Sequence, residues 1–155
     1  MIFFFRALAF FALAVGGYAT AANVSALDPQ SIVRALQEAG YKATQTKVDG
    51  GLVVVDTATQ GIAIRILVID YQPGFKAVEF VSYRNCAENM KECIRNAQKL
   101  NDEESPVKAI PVPAMSSVAT CYYVLYDSTG ATASLFIANL ELFAFYTQQY
   151  NKMFN

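Results

Sequence analysis

The chain predicts an α+β domain: helices packed on a mostly antiparallel sheet, in the order α-β-β-β-β-α-β-β-α. Three observations carry this expectation. Apolar residues recur at helical spacing in three separate stretches, near residues 29–39, 87–100 and 132–153. Four β-prone runs separated by tight-turn sequences lie between the first two stretches. Two more runs, joined by a proline-containing turn, lie between the second and the third.

Asp28-Pro29 opens the first helix. A short acidic side chain can accept from exposed backbone N–H groups, and proline at the first helical position forfeits no hydrogen bond. Ile32, Val33, Leu36 and Ala39 share a face and Gly40 tolerates the positive φ of a helix end, so Pro29–Ala39 is read as helical. Lys42–Val48 alternates weakly. Asp49-Gly50-Gly51 is a hairpin turn, Leu52–Thr57 a β-branched strand, and Gln60-Gly61 a second turn. Ile62–Ile69 is apolar throughout except Arg65, which predicts a central strand covered on both faces. Gln72-Pro73-Gly74 turns the chain again. Ala77–Tyr83 then alternates, with Val78 and Phe80 on one face and Glu79 on the other. Four strands with short connections make an antiparallel meander.

Cys86, Met90, Cys93, Ile94, Ala97 and Leu100 predict a second helix over roughly Ala87–Leu100. Asn101–Ser105 is its charged exit, and Pro106 stops it. Val107–Val112 reads as a strand, and Pro111, lacking an N–H, suits an edge. Pro113–Ser117 turns the chain. Val118–Tyr126 is a long strand that ends at Asp127–Gly130. The last helix spans about Thr132–Met153, with Leu135, Phe136, Leu140, Phe143, Tyr146 and Tyr150 along one apolar stripe.

Ahead of this domain, residues 1–21 read as a secretory signal peptide. Arg6 supplies the positive charge, Ala7–Val15 the apolar core, Gly16-Gly17 the break, and Ala19-Thr20-Ala21 the small residues of a cleavage site. The apolar run falls short of the roughly 20 residues a spanning helix needs. A periplasmic or secreted protein is expected, starting near Ala22 or Asn23, without stable membrane insertion after cleavage. Residues 22–27 then form a linker and residues 28–155 the domain.

The formal net charge is −1, and loss of Arg6 makes it one unit more negative. No basic excess favours nucleic acid or an anionic lipid surface. Hydrophobic residues make up 54% of the chain and charged residues 16%, a balance that supports a packed core and not a disordered chain. There is no histidine, so the commonest general base and metal ligand is missing. No glycine-rich phosphate loop occurs. Asp102-Glu103-Glu104 reads as a solvated helix exit, and Glu88 and Glu92 as an exposed helix side. No catalytic residue, cofactor or metal site is therefore expected, and the chain is read as a non-enzyme.

The cysteines are Cys86, Cys93 and Cys121. In an oxidising compartment a pair of them is expected to bridge. Two turns of continuous helix would hold Cys86 and Cys93 about 10 Å apart, too far for a bond. Their bridge requires Cys86 to sit in the loop before the helix. Alternatively Cys121 pairs with one of them across the helix–sheet contact, or all three are small buried apolar residues. Local order favours Cys86–Cys93, with Cys121 free and buried. Tyr122, Phe143 and Tyr146 are the candidate binding surface, a groove between the last long strand and the last helix. Ordinary helix-on-sheet packing is the competing reading.

Asp28–Thr46, DPQSIVRALQEAGYKATQT, resembles the opening of YbjN-family domains. The Asp49–Gly51 turn, the Cys86 to Cys93 region, Leu100-Asn101 and a terminal aromatic helix follow in the family's order. Family members often carry Trp-Asn where Leu100-Asn101 stands. The resemblance implies a fold similar to type III secretion chaperones and a regulatory or chaperone-like binding role, with no catalytic residues to carry over. It implies a protein or peptide partner and, by analogy with those chaperones, a homodimer. The alternative function is a small-molecule or lipid-binding module, with an apolar pocket between the last helix and the sheet.

Overall fold

The computed structural model describes residues 23–47, 52–72, 75–126 and 129–154. The leader and the Asp49–Gly51 turn lie outside these residues, as do Pro73-Gly74 and Asp127-Ser128. The chain runs β1 (Asn23–Val24), α1 (Pro29–Glu38), β2 (Ala43–Lys47), β3 (Val53–Thr59), β4 (Ile62–Gln72) and β5 (Phe75–Asn85). It continues through α2 (Met90–Asp102), β6 (Lys108–Val112), a 3-10 turn (Pro113–Met115), β7 (Ser117–Tyr126), β8 (Ala131–Thr132) and α3 (Ala133–Lys152). The fold is α+β, as expected.

Strands β2 to β7 form one antiparallel sheet in the order β2-β3-β4-β5-β7-β6. The first four make the expected meander. Gln60 and Gly61 both have positive φ, 52° and 78°, and join Thr59 directly to Ile62. That is the two-residue hairpin turn whose twist matches the strands. After α2 the chain passes to the far edge as β6 and returns as β7 between β6 and β5. Pro111 thus lies on an edge strand, where its missing N–H breaks no ladder.

α1 begins where the sequence says it should. The Asp28 carboxylate accepts from the Gln30 N–H at 3.1 Å and pairs with Arg34 at 2.8 Å, and Gly40 has φ 87°. Four expectations are corrected. Of the expected linker 22–27, the described residues 23–27 are not free: β1 pairs with β8, and Val24 and Ala26 are buried in the main core. α2 starts at Met90 and not Ala87, because the Asn89 side chain caps it, accepting from the Glu92 N–H at 3.2 Å. β4 is covered on one face only: Ile64 and Ile66 are buried, whereas Ala63 and Arg65 are exposed. Finally, Leu135 does not join the buried stripe of α3; it is 54% exposed.

All three described helices lie on the same face of the sheet. Ile32 and Leu36 of α1 and Phe136, Leu140 and Phe143 of α3 pack with Val55, Ile64, Ile66, Val78 and Phe80. Cys93, Ala97 and Leu100 of α2 pack with Ala109, Val118 and Tyr150. Burying these side chains supplies the main stabilisation, at about 1.5–3 kcal/mol for each large apolar residue.

Candidate interaction surfaces

Tyr122, Phe143 and Tyr146, the expected binding surface, sit on the helix side and are part of the core or packed against it. Phe143 is fully buried, with its ring 6.0 Å from Phe80. Tyr122 lies 6.1 Å from Phe80, and its hydroxyl donates to Asn139 at 3.1 Å. Phe80, Phe136, Leu140 and Phe143, all fully buried, fill the space between α3 and the sheet. Packed aromatic rings occupy the space where a groove was expected, while Tyr122 and Tyr146 stay partly buried at its edge.

The opposite face of the sheet is different. No helix among the described residues packs on it. Side chains alternate along a strand, so the register maps this face row by row. One row is Ile69, Ala77 and Leu125; the next is Val54, Leu67, Glu79 and Tyr123. The third is Asp56, Arg65, Val81, Cys121 and Lys108, and the fourth Tyr83, Ala119 and Ile110. Only the third row carries exposed charge, and there Arg65 pairs with Asp56 at 3.0 Å. Tyr123 and Leu125 are 55% and 56% exposed, and Tyr83 and Ile110 are exposed as well. Val81, Ala119 and Cys121 form a small buried cluster flanked by Leu67 and Val112.

Glu79 sits in the middle of this face and is only 6% exposed. Tyr123 lies directly opposite it on β7, with Cys121 two residues along on the same face. Burial, then the Glu79 charge, pushes the Cys121 thiol up to about 12. The hydrogen bond to Glu79, then burial, pushes Tyr123 up to about 12. Cys121 thus keeps its proton at neutral pH and is no nucleophile. Alternation gave Glu79 its face correctly but not its burial, which depends on long neighbours in adjacent strands.

At the other end of the helix layer, Cys86 and Cys93 are bridged, with Cα atoms 6.2 Å apart, and Cys121 is free and buried. Cys86 lies before α2, where its N–H donates to Ser116 O at 2.7 Å. A cavity of about 410 Å³ borders the bridge, lined by Arg84, Asn85, Glu88, Asn89 and Phe154 among others. Arg84 is held over the Phe154 ring at 3.8 Å and donates to Asn151 Oδ1 at 3.1 Å. Those contacts fasten the end of α3 to β5.

Asn101, near the end of α2, takes its role from geometry that the sequence does not announce. Its Nδ2 donates to the Ala109 carbonyl and its Oδ1 accepts from the Ala109 N–H, both at 2.8 Å. The amide therefore acts as a one-residue strand that occupies part of the β6 edge. Among the described residues, no group of three Cys, Asp or Glu side chains could hold a metal ion, and no helix is long and apolar enough to cross a membrane.

A family model, YbjN, described as "Putative bacterial sensory transduction regulator", matches residues 28–155. The chain belongs to the YbjN family. No curated protein matches it. The YbjN match begins at Asp28, the cap of α1, and runs through α3. It therefore includes the sheet face opposite the described helices, the Cys86–Cys93 bridge and Asn101. The family's description is that of a regulator and not of an enzyme.

Proposed function

We propose that this YbjN domain is a non-enzymatic regulatory module, periplasmic or secreted, that acts by binding a protein partner on the sheet face opposite its described helices. One observation carries the reading: Tyr83, Ile110, Tyr123 and Leu125 are exposed on one sheet face, and exposed charge is confined to one of the rows described above. Exposed apolar side chains gathered in one place mark interaction surfaces more often than they mark solvent-facing structure. Tyrosines at such a place supply contact area at low conformational entropy.

The compartment rests on the leader and on the use of cysteine. Mass spectrometry of the exported protein should find an N-terminus at Ala22 or Asn23; an intact Met1–Arg6 would refute processing. For the surface, in-cell cross-linking should capture a partner with the native protein. Tyr123→Ser combined with Leu125→Ser should abolish that capture while circular dichroism shows the fold retained; the urea midpoint should fall modestly, because Tyr123 lies opposite the buried Glu79. Retained capture refutes the assignment. Light scattering on the purified protein separates the two occupants: a dimer mass that collapses in the double variant assigns the face to a second copy, in place of a different protein.

A further inference from the structure

A second apolar surface lies on the helix side, remote from the sheet face opposite the described helices. Between α1 and α3 runs an open groove of about 430 Å³, lined by Ala35, Ala39, Ala133, Ile137 and Ala138. Small side chains on both walls would let the backbone of a third helix approach closely. Among the described residues, the charged side chains of its lining are both acidic: Glu38 on α1 and Glu141 on α3. Glu141 is held in place by the Tyr41 hydroxyl, which donates to it at 2.9 Å.

The groove does not end at its α3 wall. Leu135, Ala138, Leu142 and Phe145 are exposed beside it, at spacings of three, four and three residues. That is the spacing of a coiled-coil seam. α3 is thus apolar on two sides. Phe136, Leu140 and Phe143 face the sheet, while the Leu135–Phe145 seam faces away and meets the groove at Ala138. A helix that is apolar nearly all round is expected to be covered nearly all round.

We propose that the α1–α3 groove docks an amphipathic helix of a protein partner whose apolar stripe is flanked by lysine or arginine. The groove shape and the seam call for a helix, laid in with anchors at i, i+3, i+4 and i+7. The acidic rim sets the charge of its flanks. An anionic membrane surface is disfavoured by the same two carboxylates. The proposal does not depend on the sheet face and stands if that face proves to be occupied by a second copy.

The test uses two labelled synthetic helical peptides with leucine at the a and d positions. One carries lysine at the flanking e and g positions, the other glutamate. The lysine peptide should bind the purified protein at least about tenfold more tightly at low salt, and the preference should shrink as salt rises. Glu38→Lys should reduce or reverse the preference. Glu141→Gln, which keeps the acceptor for Tyr41, should weaken it without disturbing the fold. Ala138→Trp, at an exposed position, should block the groove and abolish binding of both peptides, with circular dichroism unchanged. Equal binding of the two peptides, or binding that survives Ala138→Trp, overturns the proposal. So does binding lost through Tyr123→Ser and Leu125→Ser alone, which would move the peptide to the sheet.

Discussion

At the scale of single residues, the chain ties its loose edges with side chains that imitate backbone. Asn101 is the clearest case, since both ends of its amide pair with Ala109. Replacing it with alanine removes two hydrogen bonds from the β6 edge and should lower stability by about 1–2 kcal/mol. Asn101→Asp should cost about as much, because the donor is lost. Urea denaturation checks both, and an unchanged midpoint for either variant contradicts the role. This pairing was not legible in the sequence. An asparagine at a helix exit reads as a solvated polar residue unless one knows which strand passes beside it. Glu79 was half legible: its alternation is plain, but the thiol and phenol that lie beside it come from β7, remote in sequence. Those donors make alkaline pH the telling variable. Cys121, Tyr123, Tyr126 and Tyr150 all sit near 12 in the fold, against ordinary values of 9.0 for the thiol and 10.0 for the phenols. The folded state holds these protons more tightly than the unfolded chain. Their stabilisation is therefore complete below about pH 9 and is lost as pH rises towards 12. Stability measured in urea should fall from about pH 9 upward, and Cys121→Ser should delay the onset towards pH 10. An onset that stays at pH 9 in that variant would show that Cys121 is not the first group to titrate.

At the scale of elements, the starts and stops announced by local chemistry were legible, and those set by competition were not. Asp28-Pro29 begins α1 because both residues act within one turn. Pro111 marks an edge because a missing N–H has consequences anywhere in a sheet. The start of α2 was read too early. The apolar spacing runs back to Cys86, but Asn89 caps the helix, and Cys86 instead donates its N–H to Ser116 and its sulfur to the bridge. The bridge closes a loop with a sequence separation of seven, across a strand-to-helix junction. Replacing both cysteines with serine should lower stability by about 2–3 kcal/mol. Amide hydrogen exchange in the first turn of α2 should rise more than exchange in α3. Uniform loosening across both helices would mean that the bridge supports the whole domain and not this junction.

At the scale of the whole molecule, fold class and strand count in the meander followed from periodicity, whereas sidedness did not. An apolar run such as Ile62–Ile69 predicts cover on both faces. The domain's own described helices supply cover on one. The same run satisfies a two-sided sheet and a one-sided sheet with a sticky outer face, and nothing in the order of residues separates the two. The last helix shows the same ambiguity: its aromatic content reads as core, yet Leu135, Leu142 and Phe145 point away from it. Of the residues expected at a binding surface, Phe143 lies in the interior and Tyr122 and Tyr146 are packed against it, partly buried, for this reason. Aromatic clusters locate packing, and only the layer arrangement shows which clusters remain uncovered.

The placement of β7 between β5 and β6 has a consequence for how quickly the chain can reach its native state. A strand that enters beside β5 with a neighbour already outside it is most simply delivered as a preformed β6–β7 ribbon. The ribbon's turn contains Ser116 at φ 47°, in the left-handed region where a side chain costs about 1 kcal/mol or more. Ser116→Gly relieves that strain. If the ribbon forms before it docks, the substitution accelerates refolding and leaves the unfolding rate nearly untouched. If β7 instead docks on β5 first and β6 closes afterwards, the same substitution slows unfolding at a constant refolding rate. Stopped-flow measurement of both limbs therefore reads the order in which this sheet is assembled.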